Sequence, residues 1–206
     1  MTGGGGKVGR GKLRLFVALD LPVAVRRDLN VWRRAALTDP ALRFTEGPRM
    51  LLLFLGHRPQ REVVPCLEAI RELCARAPAP LIELADVEAR GRRPTRPRLF
   101  ALPARLPGVE VLQLALRSAF ESQGLAFHEP RQRSFWPHLT VARVATEQRP
   151  SRCPLLVHDL PDRPLPAGLR EPFRAESVGL YLSELWPDGA RHRLLGRAEL
   201  AAVPGR

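Results

Sequence analysis

The sequence has few cysteines and none of the patterns in which cysteines build structural sites. Cys66, Cys74 and Cys153 are an odd number, and no pair has the Cys-x-x-Cys spacing. An odd count without paired spacing argues against a disulfide framework and against a cysteine-based zinc site. Cys66 and Cys74 lie eight residues apart in a predicted helix, where we expect them to be packing residues.

Long hydrophobic runs are also missing. No segment approaches the roughly 20 consecutive apolar residues that a membrane-spanning helix needs. The start, MTGGGGKVGRGK, has no apolar stretch of the kind found in secretory signals, so residues 1–11 are predicted to be a flexible glycine-rich tail. Residues 12–206 suit one domain with two lobes. We therefore expect a cytoplasmic protein without a membrane partner.

Lysine is almost absent from a strongly basic chain. Lys and Arg total 33 against 21 Asp and Glu, a formal charge of +12, and Lys7 and Lys12 are the only lysines. The planar fork of arginine matches phosphate oxygens two at a time. Charge alone is equally consistent with an acidic or nucleic-acid partner and with solvated surface arginines.

Hydrophobic patterning predicts a chain that mixes strands and helices, and a hydrophobic content of 45% supports a folded globule. The predicted helices span residues 23–37, 61–77 and 108–124. The predicted strands span residues 13–22, 49–56, 81–89, 99–104, 137–144, 175–185 and 190–200. Loops or turns are predicted at 90–98, 146–172 and 186–189. Because a strand–helix–strand order precedes both 49–56 and 137–144, the pattern indicates two similar lobes, each ending in a central strand.

The stretch PHLTVARV, residues 137–144, contains the residues best suited to chemistry. Side chains alternate along a strand, so His138 and Thr140 share a face. A histidine near its usual pKa of roughly 6.5 exchanges protons at neutral pH, and a threonine hydroxyl can donate to a phosphate oxygen. Strict alternation puts Arg143 on the opposite face unless the strand twists or ends first. A single buried histidine held by one neighbour is the alternative interpretation.

Five segments in one order carry a family resemblance: RLFVALDLP, LLLFLG, RPRLFAL, PHLTVARV and LYLSELWPDGARHRLLGRAEL. Together they resemble the two-histidine phosphoesterase superfamily, and most closely the bacterial RNA 2',3'-cyclic phosphodiesterases, also called 2'-5' RNA ligase-like proteins. The resemblance runs from about residue 13 to residue 201. It implies an α+β fold of two pseudo-symmetric lobes around a central cleft. Each lobe would be a mainly antiparallel sheet with helices on its outer face.

The resemblance also implies a reaction. Two histidines would face each other across a phosphodiester, one as general base on water and the other as general acid on the leaving ribose oxygen. The motif HLTVAR matches the second histidine strand and assigns His138 to catalysis and Thr140 and Arg143 to the phosphate. Neither a metal nor a cofactor is implied, and the chain contains no P-loop and no dinucleotide-binding glycine pattern. The expected partners are RNA ends or cyclic nucleotide phosphates, bound by a monomer.

The first histidine motif departs from the family pattern, which resembles His-x-Thr-Leu-x-Phe-Leu-Gly. The chain reads RMLLLFLG, which puts Arg49 in the histidine position and Leu51 in the threonine position. Arg49 can hold a phosphate, but its pKa above about 12 prevents proton exchange. Alternatively, Arg49 pairs with an acidic neighbour at the rim. Two functions stay open: a weakened cyclic phosphodiesterase that produces 2'-phosphate ends, and a non-catalytic module that binds RNA ends or nucleotide phosphates in the same cleft.

The remaining histidines are weaker candidates for the missing partner. His57 lies eight residues beyond Arg49, about 26 Å along a strand that rises roughly 3.3 Å per residue. His128, His158 and His192 are predicted in loops or at strand ends, and none has a threonine two residues later.

Overall fold

The structure is a computed structural model of the chain and describes residues 11–44, 47–91, 97–125, 135–144, 164–186 and 189–202. The predicted tail lies outside the described residues except for Gly11, and so does most of the predicted loop 146–172. His128, Cys153 and His158 also lie outside them.

The described residues form ten strands and four α-helices. The strands are β1 (Lys12–Asp20), β2 (Leu42–Arg43), β3 (Met50–Pro59), β4 (Leu81–Leu84), β5 (Glu88–Arg90), β6 (Leu99–Arg105), β7 (His138–Val144), β8 (Phe173–Arg174), β9 (Ser177–Trp186) and β10 (Gly189–Glu199). The helices are α1 (Val23–Ala36), α2 (Val63–Cys74), α3 (Val109–Ser122) and α4 (Ala167–Arg170). The predicted α+β class is confirmed.

The strands form one curled sheet in the order β10-β9-β1-β3-β7-β6-β4-β8, with β2 beside β7 and β5 beside β6. Its strand pairs are antiparallel. β3 and β7 are the two central strands, and they meet where Met50 pairs with Leu139. The sheet therefore consists of two halves, each of which ends at one central strand, as the sequence pattern predicts.

The two faces of the sheet are buried to different extents. One face and the helices enclose the main core, in which Leu15, Ile70, Phe100, Phe120 and Leu139 are fully buried. Removing these side chains from water is the main force that holds the helices on this face. The opposite face carries a separate small cluster of Phe16, Ala18 and Tyr181, against which Phe54 packs. This second cluster forms the floor of the open side of the sheet.

Two predicted strands differ from the observed ones. The strand predicted to stop at Gly56 continues to Pro59, because Gly56 adopts a positive φ of 73° that glycine tolerates. The predicted strand 81–89 is split into β4 and β5, which pair with opposite ends of β6. The break lies opposite Pro103, which has no N–H to donate to a neighbouring strand.

The helices follow the predicted order with shorter bounds. α2 occupies only the middle of the predicted helix 61–77, and α4 lies in the part of 146–172 that was predicted to be loop. Cys66 and Cys74 are buried in α2, as expected, and burial raises the pKa of each thiol to about 11. Within the described ranges no helix is long and apolar enough to cross a membrane.

Candidate functional site

The two sequence triplets at the family's histidine positions, Arg49-Met50-Leu51 and His138-Leu139-Thr140, lie side by side. Met50 and Leu139, their middle residues, pair with each other and are fully buried in the main core. Alternation turns the flanking residues to the other face of the sheet, where Arg49 and His138 are half-buried and Leu51 is exposed. The open face between β3 and β7 therefore carries the outer residues of both triplets, with His138 on one strand and Arg49 on the other.

Arg143 lies on the same face as His138, contrary to the expectation from strict alternation. Along β6, Phe100 pairs with Ala142 whereas Ala101 pairs with Thr140, so Val141 is an extra residue in β7. This β-bulge shifts the alternation by one position. Arg143 is exposed, and its charge lowers the pKa of His138. The bulge is therefore what brings Arg143 to the open face.

His138 is held by Trp136, which precedes β7, and Arg90 covers that tryptophan. Its Nδ1 lies 2.8 Å from the Trp136 carbonyl oxygen. A carbonyl only accepts, so Nδ1 carries the proton and Nε2 has the free lone pair in the neutral ring. The Trp136 ring stacks on the imidazole at 4.0 Å, and Arg90 covers the indole at 4.6 Å. Burial is the main cause that lowers the His138 pKa, so the ring is a neutral base at pH 7.

Arg49 reaches across the floor of the open face. Its guanidinium carbon lies 4.2 Å above the Tyr181 ring, and its Nη1 lies 3.2 Å from Nδ1 of His192. Gly47 makes room for it, since a Cβ at position 47 would lie 3.0 Å from Nη2 of Arg49. The Nε of Arg49 is buried and has no hydrogen-bond partner within the described ranges. Among the described residues, Arg49 thus contacts a histidine and a tyrosine, and no acidic side chain is seen beside it there.

His192 is the residue that sequence reasoning placed wrongly. It lies within β10, opposite Ser183, rather than in a loop or at a strand end. Its ring makes an edge contact with Phe16 at 4.8 Å. Burial first, and then the charges of Arg49, Arg14 and Arg143, lower its pKa to about 4.

The signal for His192 was present in the sequence but weak. Ala190, His192 and Leu194 alternate along the predicted strand 190–200, which predicts that they share a face. Nothing local indicates that this face meets Arg49. The contact depends on the long-range order of β10, β9, β1 and β3.

A buried polar group supports the floor. Asp20, at the end of β1, accepts hydrogen bonds from the Tyr181 hydroxyl and, at 3.1 Å, from the Ser177 hydroxyl. Burial and the neighbouring Asp20 carboxylate raise the Tyr181 pKa, so its hydroxyl stays protonated. Gly179 leaves room for the Tyr181 ring, because a Cβ at position 179 would come within 2.6 Å of that ring. These contacts fix the ring on which Arg49 rests.

The charges of three arginines act on His192. Besides Arg49 and Arg143, Arg14 donates a hydrogen bond of 2.6 Å to the Ser183 hydroxyl and lies 4.7 Å from the Phe54 ring. Each of the three charges lowers the His192 pKa. Positive charge with N–H donors above an apolar floor suits a phosphate group. In the part of the chain that the structure describes, no three His, Cys, Asp or Glu side chains are grouped to hold a metal ion.

Comparison with solved structures identifies the fold. A Thermus thermophilus protein, TT0787, aligns with a TM-score of 0.69 and 27% identity over 91% of this chain and 98% of its own. E. coli LigT without ligand aligns with a TM-score of 0.67 and 24% identity over 92% of this chain and 98% of its own. A structure described as a phosphoesterase aligns with a TM-score of 0.62 and 24% identity over 91% of this chain and 98% of its own. E. coli LigT has also been crystallised with phosphate, 3'-AMP, NADP+ and ATP.

These neighbours are members of the two-histidine phosphoesterase superfamily, and this chain has the fold of that superfamily. The resemblance predicted from the five sequence segments is thereby confirmed for the fold. Within the superfamily, the similarity covers nearly the full length of LigT and of TT0787. No family model matches the chain, and no curated protein matches it.

Proposed function

We propose that the protein binds the 2',3'-cyclic phosphate end of RNA on the open face between β3 and β7 and hydrolyses it slowly to a 2'-phosphate. The observation that carries this proposal is the state of His138. Its Nδ1 is tied to the Trp136 carbonyl oxygen, so the neutral ring offers the Nε2 lone pair as a base. Neighbouring arginines provide positive charge for a phosphate.

The proposed reaction uses His138 as the only proton acceptor. Nε2 takes a proton from water while the water oxygen bonds to phosphorus and the bond to the 3' oxygen breaks. Arg49 and Arg143, with Thr140, hold the phosphate and stabilise the charge that develops on its oxygens. The 3' oxygen takes its proton from solvent, because an arginine keeps its protons at neutral pH.

The missing second proton-transfer group sets the expected rate. General acid–base catalysis by one side chain is typically worth about 10² to 10⁴ in rate. Groups that act as a unit are not additive, so the loss can exceed that range. We therefore expect measurable but slow turnover.

A groove beside the cleft supports RNA rather than a mononucleotide as the substrate. It measures about 700 Å³, and its lining includes Arg26, Arg27, Arg33 and Arg34 of α1 together with Phe44 and Gly47. Gly47 also lies against Arg49, so the groove adjoins the proposed phosphate site. A chain of phosphates leading away from the bound end would find donors there on Arg26, Arg27 and Arg34, whereas Arg33 is buried and donates to the Val141 carbonyl oxygen.

This groove makes the substrate class testable. Binding should strengthen as oligoribonucleotides lengthen, and it should weaken as salt is added. Replacing Arg26 and Arg34 with alanine should remove most of that length dependence. Replacing Arg71 and Arg76, which are exposed on and just after α2, serves as the matched control.

We propose that this binding takes place in the cytoplasm, by a monomer.

The alternative function is a binding module that holds RNA ends or nucleotide phosphates without turnover. The observation that favours it is Arg49 itself, which can bind a phosphate but cannot shuttle protons. LigT structures with phosphate and 3'-AMP make such ligands plausible for this fold.

Hydrolysis of an oligoribonucleotide with a 2',3'-cyclic phosphate end separates the two functions. The native protein should release 2'-phosphate ends, and His138→Ala should abolish turnover while it retains the same far-ultraviolet circular dichroism. Binding of the cyclic end without turnover in the native protein would reject the enzyme and support the binding module.

A further inference from the structure

We infer that His192 and Arg49 form a fixed pair of hydrogen-bond donors for a phosphate oxygen, and that His192 takes no part in proton transfer. His192 would replace the phosphate-holding contact that the first motif loses at Leu51. The inference deepens the proposed function, since the ligand class is the phosphate group of that substrate. It does not depend on whether the protein turns the substrate over.

The contact between the two side chains sets the tautomer of His192. Nη1 of Arg49 lies 3.2 Å from Nδ1 of His192. A guanidinium only donates, so Nδ1 must accept and the single ring proton of neutral His192 lies on Nε2. His138 has the opposite tautomer, because its Nδ1 donates to the Trp136 carbonyl oxygen. His138 therefore offers an acceptor at its Nε2, whereas His192 offers a donor at its Nε2.

Both members of the pair are held in place. The edge contact with Phe16 at 4.8 Å fixes the His192 ring. Arg49 rests on Tyr181, whose hydroxyl is tied to the buried Asp20. Because the donors are already ordered, binding an anion costs little side-chain entropy. Such preorganisation is what a phosphate site requires.

His192 is neutral in the conditions where the protein would work. Burial and the charges of Arg49, Arg14 and Arg143 lower its pKa to about 4. Since pH 7 lies well above that pKa, nearly all of the rings are neutral there. The ring can therefore donate its Nε2–H but cannot act as a cationic acid. Neutral histidines serve as such donors at substrate oxygens in other enzymes.

A separate observation indicates that Arg49 has donor capacity left over. Its buried Nε finds no hydrogen-bond partner in the described part of the chain. Leaving a buried polar group unpaired typically costs about 1–3 kcal/mol. Because the Nε is covered in the structure, an anion that bridges Arg49 and His192 accepts from this N–H only when the guanidinium shifts toward it. The same anion would lie among the charges of Arg14 and Arg143, which act on His192.

Two substitutions distinguish a ligand contact from a merely structural role. The amide of Asn reproduces the position of Nδ1, whereas the amide of Gln reaches the position of Nε2. His192→Gln should therefore bind inorganic phosphate within about threefold of the native protein, while His192→Asn should bind at least about tenfold more weakly, since a hydrogen bond to a charged group is lost. Isothermal titration calorimetry at pH 7 measures both. Equal binding by His192→Asn and the native protein would overturn the inference, as would equal losses in the two variants.

Nitrogen-15 spectroscopy of the imidazole rings tests the same inference without mutation. His192 should show the Nε2–H tautomer at pH 7, and its Nε2 resonance should move when inorganic phosphate is added. The inference would be overturned by a Nδ1–H tautomer, by an imidazolium at pH 7, or by an Nε2 resonance that does not move when phosphate is added. The proposed hydrolysis is judged separately, by cleavage of the cyclic end in native protein and His138→Ala, so the two can fail independently.

Discussion

The position of His192 predicts a specific loss of stability in acid. Its pKa of about 4 in the folded protein lies below the usual value of 6.5. As the pH falls below 6.5, His192 therefore becomes protonated in the unfolded chain while it stays neutral in the folded chain. The contribution of His192 to the free energy of unfolding should decrease from about pH 6.5 down to about pH 4 and level off below that, on the basis of these two pKa values.

The size of the effect follows from the pKa shift and the exposure of the ring. A shift from 6.5 to about 4 is roughly 2.5 units, which corresponds to an upper bound of about 3.4 kcal/mol at 1.36 kcal/mol per unit. The ring is only partly buried, and solvent screens the three arginine charges that act on it. We therefore expect about 1–2 kcal/mol after this discount.

Urea unfolding at pH 7.0 and pH 4.5 measures this loss. The native protein should lose about 1–2 kcal/mol more stability between the two pH values than His192→Gln, which has no titrating ring. His192→Asn should behave like His192→Gln, since both remove the same titration. Equal losses in the native protein and in both variants would refute the account of the His192 environment.

Two further predictions concern the floor beneath Arg49. Gly179→Ala should destabilise the protein by about 1–3 kcal/mol in urea unfolding, because the new Cβ would lie 2.6 Å from the Tyr181 ring; unchanged stability would mean that the ring is not held there. Tyr181→Phe should cost about 1–3 kcal/mol because Asp20 loses a donor in a buried site. The cost should shrink in an Asp20→Asn background, and a cost that stays the same would show that the hydroxyl does not stabilise Asp20.

Local patterns predict most elements of this fold. α1 and α3 follow their predicted spans closely, since their apolar residues recur with helical period over 14 residues each. The similar strand–helix–strand order before β3 and before β7 also predicts correctly that these strands are central. These features depend on periodicity and chain order, both of which can be read from sequence.

Bulges limit what alternation can predict. Arg143 lies five positions after His138, and strict alternation would put the two on opposite faces. The extra residue Val141 in β7 brings them to the same face. In β3, Leu52 and Leu55 are left without partners opposite β1, so the faces of that strand shift twice. A bulge depends on the partner strand, and a single strand sequence does not reveal it.

The neighbour of Arg49 depends on long-range contacts. His192 lies 143 positions away along the chain. No threonine follows it at the family spacing, so no motif marks it. Only the pairing of β10 with β9, and of β9 with β1, brings its ring toward β3. The arginine triplet was thus recognisable from the sequence, but the histidine beside it was not.

The central claim is that the face between β3 and β7 keeps phosphate binding while the first triplet has lost its proton transfer. The double change Arg49→His with Leu51→Thr tests it most directly, with hydrolysis of a 2',3'-cyclic phosphate oligoribonucleotide as the assay. Leu51→Thr alone is the control, and adding His138→Ala should remove any gain. We predict that the double change raises the rate at least about 10²-fold, the lower value for a restored acid–base group. An unchanged rate in a folded double variant that still binds phosphate would contradict the claim.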